Sequence, residues 1–439
     1  MRRTHHSRAA VGGRTAGRHL AGEHPRGQGR LRLRDDGRRR GRVDRADSDH
    51  PERRRVPLRH PRRHELLGLR RRTQGRRPGA RRHRALPRSA AVTLAHADHT
   101  PRPLGLNRRS RASLGLAALL VLLVISVVLS LMIGSNSLPP HAVLDVLRGG
   151  GSSEARYVVG ELRVPRTATG IIVGVALGVA GALIQAFTRN PLADPGILGV
   201  NAGAAFAIAI GVAFFGLRDI SSFVWLGFLG ALAVTLAVSL IGSAGRGPAD
   251  PIRLTLAGVA IGAVFSGMTT GMTLSNPDAF DRMRSWNAGS LLGRGFDVLL
   301  PVLPFIVLAL IGALLLAPGL NSLALGEDVA RAQGANVAAI RVGVIIAVTV
   351  LAGAATALAG PIAFVGLMVP HVARWVFGVD QRVILTISVV LAPVIVLLSD
   401  VLGRVLIAPA EIPVGIVTAF VGAPLLIALA RQRKASTLS

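Results

Sequence analysis

The chain has 439 residues, half of them hydrophobic, with no cysteine and a formal net charge of +29. The lack of cysteine excludes a disulfide framework and thiolate metal sites. The only lysine, Lys434, does not follow a glycine-rich loop, so the chain is not a P-loop ATPase.

An arginine-rich leader is predicted over residues 1–104. Its first 100 residues hold 29 arginines, 9 acidic residues and no Phe, Tyr or Trp, so they bury too little apolar surface to offset chain entropy. We interpret residues 1–91 as an extension upstream of the working start, near Val92 or Leu94; the alternative is a genuine disordered tail. A nucleic-acid-binding arm is the weaker hypothesis, and no nucleic-acid partner is expected.

Apolar runs dominate residues 105–439. Each is close to the roughly 20 residues that a helix needs to cross a bilayer, where every backbone polar group must be bonded internally. The chain is therefore predicted to be an all-α integral membrane protein. Ten spans are predicted, at 114–133, 167–187, 196–216, 222–244, 254–274, 298–317, 342–359, 362–377, 384–400 and 412–430.

The distribution of basic residues predicts the orientation of the spans in the membrane. With the N-terminus inside, the larger set of arginines near span ends, including Arg331 and Arg341, lies in the cytoplasm. The smaller set, including Arg163, Arg166 and Arg404, lies outside. An even number of spans then puts both termini of this multi-pass cell-membrane protein in the cytoplasm.

The predicted spans hold few ionisable residues. Asp297, Asp400 and Glu411 lie only at span edges, whereas an ion-coupled carrier is expected to hold a carboxylate near the midplane. The energy source for any transport is therefore expected to lie on another protein.

Residues suited to binding a transition metal are also scarce. Beyond the leader there are two histidines, His141 and His371, and no metal site is expected. Met268 and Met272, one helical turn apart in the fifth span, are compatible with contact to a soft ligand, but packing is the preferred interpretation.

A short polar segment, residues 323–334, separates the sixth and seventh spans. Glu327 and Asp328 would occupy the first turn of a helix, where carboxylates suit the helix dipole. Arg331 follows Glu327 by four residues, the favourable order for an ion pair, and Gly334 occupies a C-terminal cap position. The segment is predicted to be a cytoplasmic helix of about two turns. It is either a solvated connector or a docking surface for the partner that supplies energy.

Residues 105–439 resemble the permease subunit of type II ABC importers for iron–siderophore, haem and cobalamin, the FecCD or vitamin B12 permease family. The resemblance rests on five motifs that occur in order along the chain. They are LRVPRT at 162–167, GALIQAFTRNPLADPGILGVNAGA at 181–204, LALGEDVARAQG at 323–334, GPIAFVGLMVPHVAR at 360–374 and DVLGRVLIAPAEIPVGIVTAFVGAPL at 400–425.

The resemblance implies a type II importer permease fold, a ten-helix protomer that pairs with a second copy or a close paralogue in the lipid membrane. The substrate would pass along the interface lined by the fifth and tenth spans, where Met268, Met272 and Pro413 are the candidate pathway residues. The chain would not be an enzyme and would bind no cofactor, because ATP and Mg would lie on the partner ATPase.

The resemblance also implies two docking sites. The cytoplasmic ABC ATPase would contact the short helix, with Gly326, Glu327, Asp328, Ala330, Arg331 and Gly334 as coupling residues. An extracytoplasmic substrate-binding protein would dock on Arg163, Arg166 and Arg404; the alternatives for these arginines are ordinary interfacial anchoring or pairing with Asp400 or Glu411. The expected cargo is a ferric siderophore, with cobalamin or haem as alternatives. For the function of the chain, an ion-coupled secondary transporter is the less favoured alternative.

Overall fold

The computed structural model describes residues 108–243 and 251–435; the predicted leader, residues 1–104, lies outside the described residues. These two ranges contain fourteen α-helices and no strand. A π-helical turn, Tyr157–Arg163, joins α3 to α4, and a 3₁₀ turn, Pro195–Leu198, precedes α5. The helices are α1 (Arg108–Met132), α2 (Pro140–Leu147), α3 (Ser153–Arg156), α4 (Val164–Thr188), α5 (Val200–Phe215), α6 (Ile220–Ser243), α7 (Pro251–Ser275), α8 (Pro277–Asn287), α9 (Phe296–Ala324), α10 (Glu327–Ala332), α11 (Val337–Ala359), α12 (Val365–Phe377), α13 (Gln381–Leu406) and α14 (Val414–Ala435).

Ten of these helices coincide one for one with the ten predicted spans. Seven are long and apolar enough to cross a membrane: α1, α4 with the turns before it, α6, α7, α9, α11 and α13. The other three, α5, α12 and α14, contain shorter apolar stretches. The prediction of an all-α integral membrane protein is confirmed.

The central helix of the bundle is α4, which packs against α9, α11, α12 and α13. Its glycines allow this close packing. A Cβ atom on Gly174 would lie 2.7 Å from Cα of Pro393, and one on Gly178 would lie 2.9 Å from the carbonyl oxygen of Ser388. Side chains at these positions would push α13 away, so the small residues permit the approach of neighbouring membrane helices.

The short helix α12 is preceded by a non-helical segment, residues 360–364. Backbone groups around this segment are hydrogen-bonded to other parts of the protein. Ser290 donates its backbone N–H to the carbonyl of Ala359 (2.7 Å), and Gly415 donates its backbone N–H to the carbonyl of Gly289 (3.0 Å). Gly289 and Gly360 have φ of 69° and 74°, which glycine adopts readily. Non-helical backbone is tolerated at membrane depth when protein surrounds it, which explains why thirteen helical residues suffice here.

Besides the four-residue helix α3, two helices between spans were not part of the predicted set, α2 and α8. The start of α8 carries a recognisable signal, because the side chain of Asn276 accepts the N–H of Ala279 (3.0 Å) and Pro277 occupies the first turn. Both helices lie on the side assigned to the exterior by the basic-residue distribution.

Candidate functional site

The short polar segment folds as the predicted capped helix, α10. Gly326, with φ of 120°, precedes it, and Gly334, with φ of 82°, follows it. Gly334 donates its N–H to the carbonyl of Arg331 (2.9 Å), and Ala335 donates to that of Ala330 (3.0 Å). This pair of bonds is the Schellman arrangement that ends a helix at a left-handed glycine.

Ion pairs and burial fix one face of α10. Arg331 lies 3.3 Å from Glu327, as predicted, and 3.6 Å from Asp328. Glu327 also pairs with Arg341 of α11, and Ala330 is fully buried where α10 packs against α9 and α11. The helix is thus held to the membrane domain through its inner face.

The outer face of α10 is open and partly apolar. Val329 is 43% exposed, the side chain of Asp328 is fully exposed, and Leu325, two residues before the helix, is 67% exposed. Apolar side chains flanked by charges make this face suited to contact with another protein.

Sequence reasoning did not identify two sets of hydrogen bonds that hold the C-terminal end of α9, just before α10. The guanidinium of Arg189, in the loop after α4, donates to the carbonyl of Leu323 (2.7 Å). Asn321 on α9 donates to the carboxylate of Asp380 (2.9 Å) and accepts the N–H of Gln381 (2.8 Å). Hydrogen bonding by Asn321 and by the Arg382 N–H lowers the pKa of Asp380, which is ionised at neutral pH.

At the opposite end of the bundle, Arg166 joins two carboxylates. It donates to Asp400 on α13 (2.7 and 3.0 Å) and to Glu411 in the loop before α14 (2.7 Å). Arg404, one turn after Asp400, pairs with the same carboxylate. The side chains of Asp400 and Arg404 are each 1% exposed, so this is a buried charge network.

Two arginines of this cluster also bind the C-terminal end of α1. Arg163 donates to the carbonyls of Leu131 (2.8 Å), Met132 (2.9 Å) and Asn136 (2.7 Å). Arg404 donates to the carbonyls of Ser130 (2.8 Å) and Ile133 (2.9 Å). Cations suit the negative end of a helix dipole, and these bonds attach a helix that is otherwise little buried in the bundle.

The three arginines predicted to dock a binding protein therefore come together, but their side chains are not on the surface. Arg163, Arg166 and Arg404 are 4%, 8% and 2% exposed. Arg166 pairs with Asp400 and Glu411, and Arg404 pairs with Asp400, which was the alternative for these residues. Arg163 donates only to backbone carbonyls. Docking through the arginines stays a prediction.

All three arginines line a cavity of about 410 Å³ that opens at this end of the bundle. Sequence reasoning missed two further residues in its lining, Glu161 and Arg294. Burial lowers the pKa of Arg294 to about 10, so the residue remains charged at neutral pH. Glu161 is exposed at the rim.

Met268 and Met272 lie on α7, and Pro413 lies directly before α14. Met268 is 50% exposed, whereas Met272 and Pro413 are more buried. Helix α7 packs mainly on α5 and α6, and α14 packs on α12 and α13. The rest of α7 leaves an apolar face uncovered in the single chain, with the exposed side chains Leu256, Val259, Val264 and Leu274. A pathway between α7 and α14 of two copies stays a prediction.

The model of the FecCD transport family matches residues 122–432. The ferric enterobactin transport system permease protein FepD of Escherichia coli (strain K12) is 48% identical over 321 residues, which cover 73% of this chain and 96% of FepD. The iron(3+)-hydroxamate import system permease protein FhuB of Bacillus subtilis (strain 168) is 36% identical over 330 residues, 75% of this chain and 85% of FhuB.

The fold is similar to a solved structure as well. A metal-chelate type ABC transporter in an inward-facing conformation superposes with a TM-score of 0.65 at 29% identity, over 73% of this chain and 99% of the other. The family match spans most of the described residues, and the identity to FepD extends over nearly all of that protein. The chain belongs to the FecCD transport family.

Proposed function

We propose that this chain is the membrane permease subunit of an ATP-driven importer that moves a ferric siderophore into the cytoplasm. The observation that carries the proposal is the 48% identity to a ferric enterobactin permease over 96% of its length, within the FecCD family match. The permease supplies the pathway, and ATP hydrolysis with its Mg takes place on a separate ATPase.

The cytoplasmic ATPase docks on α10 in this proposal. The helix is anchored through Glu327 and Ala330 while Leu325, Asp328 and Val329 face outward. A helix held rigidly on one side and open on the other transmits movement of a bound partner to α9 and α11. Gly326 before the helix and Gly334 after it, both with positive φ, limit α10 to its short length.

A second permease, identical or paralogous, covers the open face of α7 in this proposal. The uncovered apolar residues of α7 support it, because faces of this size and composition in a polytopic membrane protein contact lipid or another subunit. Both termini of each permease lie in the cytoplasm in this arrangement, and Met268, Met272 and Pro413 are near the pathway.

An extracytoplasmic binding protein docks around the outer cavity in this proposal, with Arg163, Arg166 and Arg404 as its anchoring charges. Because Arg166 and Arg404 are already paired with acids, docking through them requires a carboxylate of the partner to replace one of those acids. Glu411 is the partner most open to exchange, since its side chain is 17% exposed whereas that of Asp400 is 1% exposed.

Replacing Glu411 by Gln is expected to strengthen docking of the substrate-loaded binding protein. The change frees one side of Arg166 for a carboxylate of the partner. Because an ion pair at a partly exposed site contributes up to about 1 kcal/mol, the expected decrease in Kd is roughly fivefold. The measurement is the affinity of the cognate binding protein for the permease in nanodiscs. Glu161→Gln, which neutralises a rim carboxylate, is the control and is expected to change Kd less. Unchanged or weaker binding by Glu411→Gln contradicts docking by exchange.

The proposed cargo is tested by uptake of labelled iron in iron-starved cells with and without this gene. Iron is supplied as ferric catecholate, ferric hydroxamate and ferric citrate, and labelled cobalamin and haem are offered in parallel. Loss of uptake of at least one ferric siderophore, with cobalamin and haem uptake unchanged, is the expected result. Loss of cobalamin or haem uptake alone would keep the importer and refute the siderophore. Uptake that persists when the partner ATPase is disabled would instead support an ion-coupled carrier.

A further inference from the structure

A groove of about 900 Å³ runs along the side of the bundle between α6 and α11, and nothing in the proposed transport cycle uses it. Its walls are almost entirely aliphatic. From α6 they include Leu232, Leu236 and Leu240, and from α11 Val337, Ala338, Val342, Ile345, Ile346 and Val350.

One end of the groove is cationic. Arg331 of α10 and Arg341 of α11 both line it, together with the amide of Asn336, and no carboxylate belongs to the described lining. Farther along the groove, the hydroxyl of Thr349 donates to the carbonyl of Ile345 (2.6 Å), so it is satisfied within its own helix. The groove therefore combines a charged mouth with a long apolar wall.

The length of the groove matches one leaflet of a membrane. From Arg341 to Val350 the chain advances nine residues along α11, about 14 Å at 1.5 Å per residue. Half of a hydrocarbon core is about 15 Å thick. With the arginines at the level of the lipid headgroups, the aliphatic wall extends close to the middle of the bilayer.

The two arginines have hydrogen-bonding capacity left over. Arg341 binds Glu327 through one terminal nitrogen, and its other terminal nitrogen, Nη1, is buried and has no hydrogen-bond partner in the described part of the chain. Arg331 is 54% exposed, and its pairs at 3.3 and 3.6 Å are of the surface kind that exchanges partners readily. Guanidinium groups suit phosphate oxygens through paired N–H donors.

We propose that this groove binds an anionic phospholipid from the leaflet next to α10. An acyl chain lies along α6 and α11, and the phosphate lies between Arg331 and Arg341. Only the assignment of this leaflet as the cytoplasmic one rests on the proposed function and orientation. Because both arginines also contact Glu327, the bound phosphate adds a link between lipid and α10.

The test measures lipid retained by the purified full chain, without any transport assay, so it is independent of the cargo. The detergent-solubilised protein is incubated with equimolar phosphatidylglycerol and phosphatidylcholine, and the bound lipid is counted by native mass spectrometry. Preference for phosphatidylglycerol by about fivefold or more is expected, since each arginine near a lipid surface contributes attraction of that order. Equal retention of the two lipids would overturn the proposal.

Matched variants locate the lipid. Arg331→Gln with Arg341→Gln should abolish the preference, whereas Arg382→Gln, an exposed arginine at the start of α13 outside the groove, should not. Ala338→Phe fills the groove and should lower lipid retention. The neighbouring residue Ala339 is exposed outside the groove, so Ala339→Phe should have no effect. Retention unchanged in the double arginine variant overturns the proposal. A change of oligomeric state in Ala338→Phe, with lipid retention intact, would assign the groove to a second copy and also overturn it.

Discussion

Replacing Asp400 by Asn is expected to lower the free energy of unfolding of the membrane domain by about 3–5 kcal/mol, the usual cost of removing one partner from a buried ion pair. Asp400 is the only described carboxylate that Arg404 pairs with, and it shares Arg166 with Glu411. After the substitution Arg404 remains at 2% exposure with backbone carbonyls and a neutral amide as its partners. A buried cation without a counter-ion is costly, because the carboxylate that offsets its desolvation is gone.

The measurement is equilibrium unfolding of the purified chain in mixed detergent micelles, followed by tryptophan fluorescence. Asp281→Asn is the matched control, because this residue pairs with Arg284 at 3.7 Å and both side chains are 73% exposed. The control should change the free energy of unfolding by less than about 1 kcal/mol. Adding Arg404→Gln to Asp400→Asn should recover part of the loss. If Asp400→Asn costs no more than Asp281→Asn, the cluster does not stabilise the outer end of the bundle.

Replacing Glu327 by Gln is expected to reduce transport at least about tenfold, because the change removes both ion pairs that orient α10. Glu327 accepts from Arg331 and from Arg341, and Arg341 is only 11% exposed. Loss of a charged hydrogen-bond partner at such a site costs about 1.5–3 kcal/mol. Since about 1.4 kcal/mol changes an equilibrium tenfold, α10 would leave its docked orientation for a substantial fraction of the time.

Asp281→Asn separates orientation of α10 from simple loss of a surface charge. Asp281 lies on α8, outside α10, and pairs with Arg284 at 3.7 Å with both side chains 73% exposed, so the variant should transport within about twofold of the parent chain. Because the chain has no cysteine, a single Val329→Cys spin label reports on the mobility of α10 in each variant. Equal transport by the Glu327 and Asp281 variants, or an immobile label in Glu327→Gln, would contradict the orienting role.

Several features of the fold follow from local sequence alone. Spans were predictable because lipid allows only backbone that bonds within itself, so hydrophobic length maps directly onto helices. The short helix α10 was predictable for a different local reason: the acids of its first turn, the spacing of Glu327 and Arg331, and Gly334 all act within a few residues of one another. Local interactions of this kind need no knowledge of the rest of the chain.

The partners of the outer arginines could not be decided in the same way. Arg166 and Asp400 are separated by 234 residues, and Arg166 and Glu411 by 245. The sequence placed all of them near span ends on one side of the membrane. That placement is consistent both with ion pairs among them and with docking of a binding protein, so it could not distinguish the two. Only the packing of α4 against α13 brings these charges within hydrogen-bonding distance and removes them from the surface.

Hydropathy and short-range charge spacing thus determined the membrane class, the ten spans and the capped helix α10, because those depend on neighbours within one or two helical turns. Tertiary structure alone decided the burial of Arg163, Arg166 and Arg404, the non-helical segment before α12, and the groove between α6 and α11. Each of these depends on which helices become neighbours. That choice is made by the complementary shapes of helices far apart in the chain, such as the glycine face of α4 against Pro393, and not by any local run of residues.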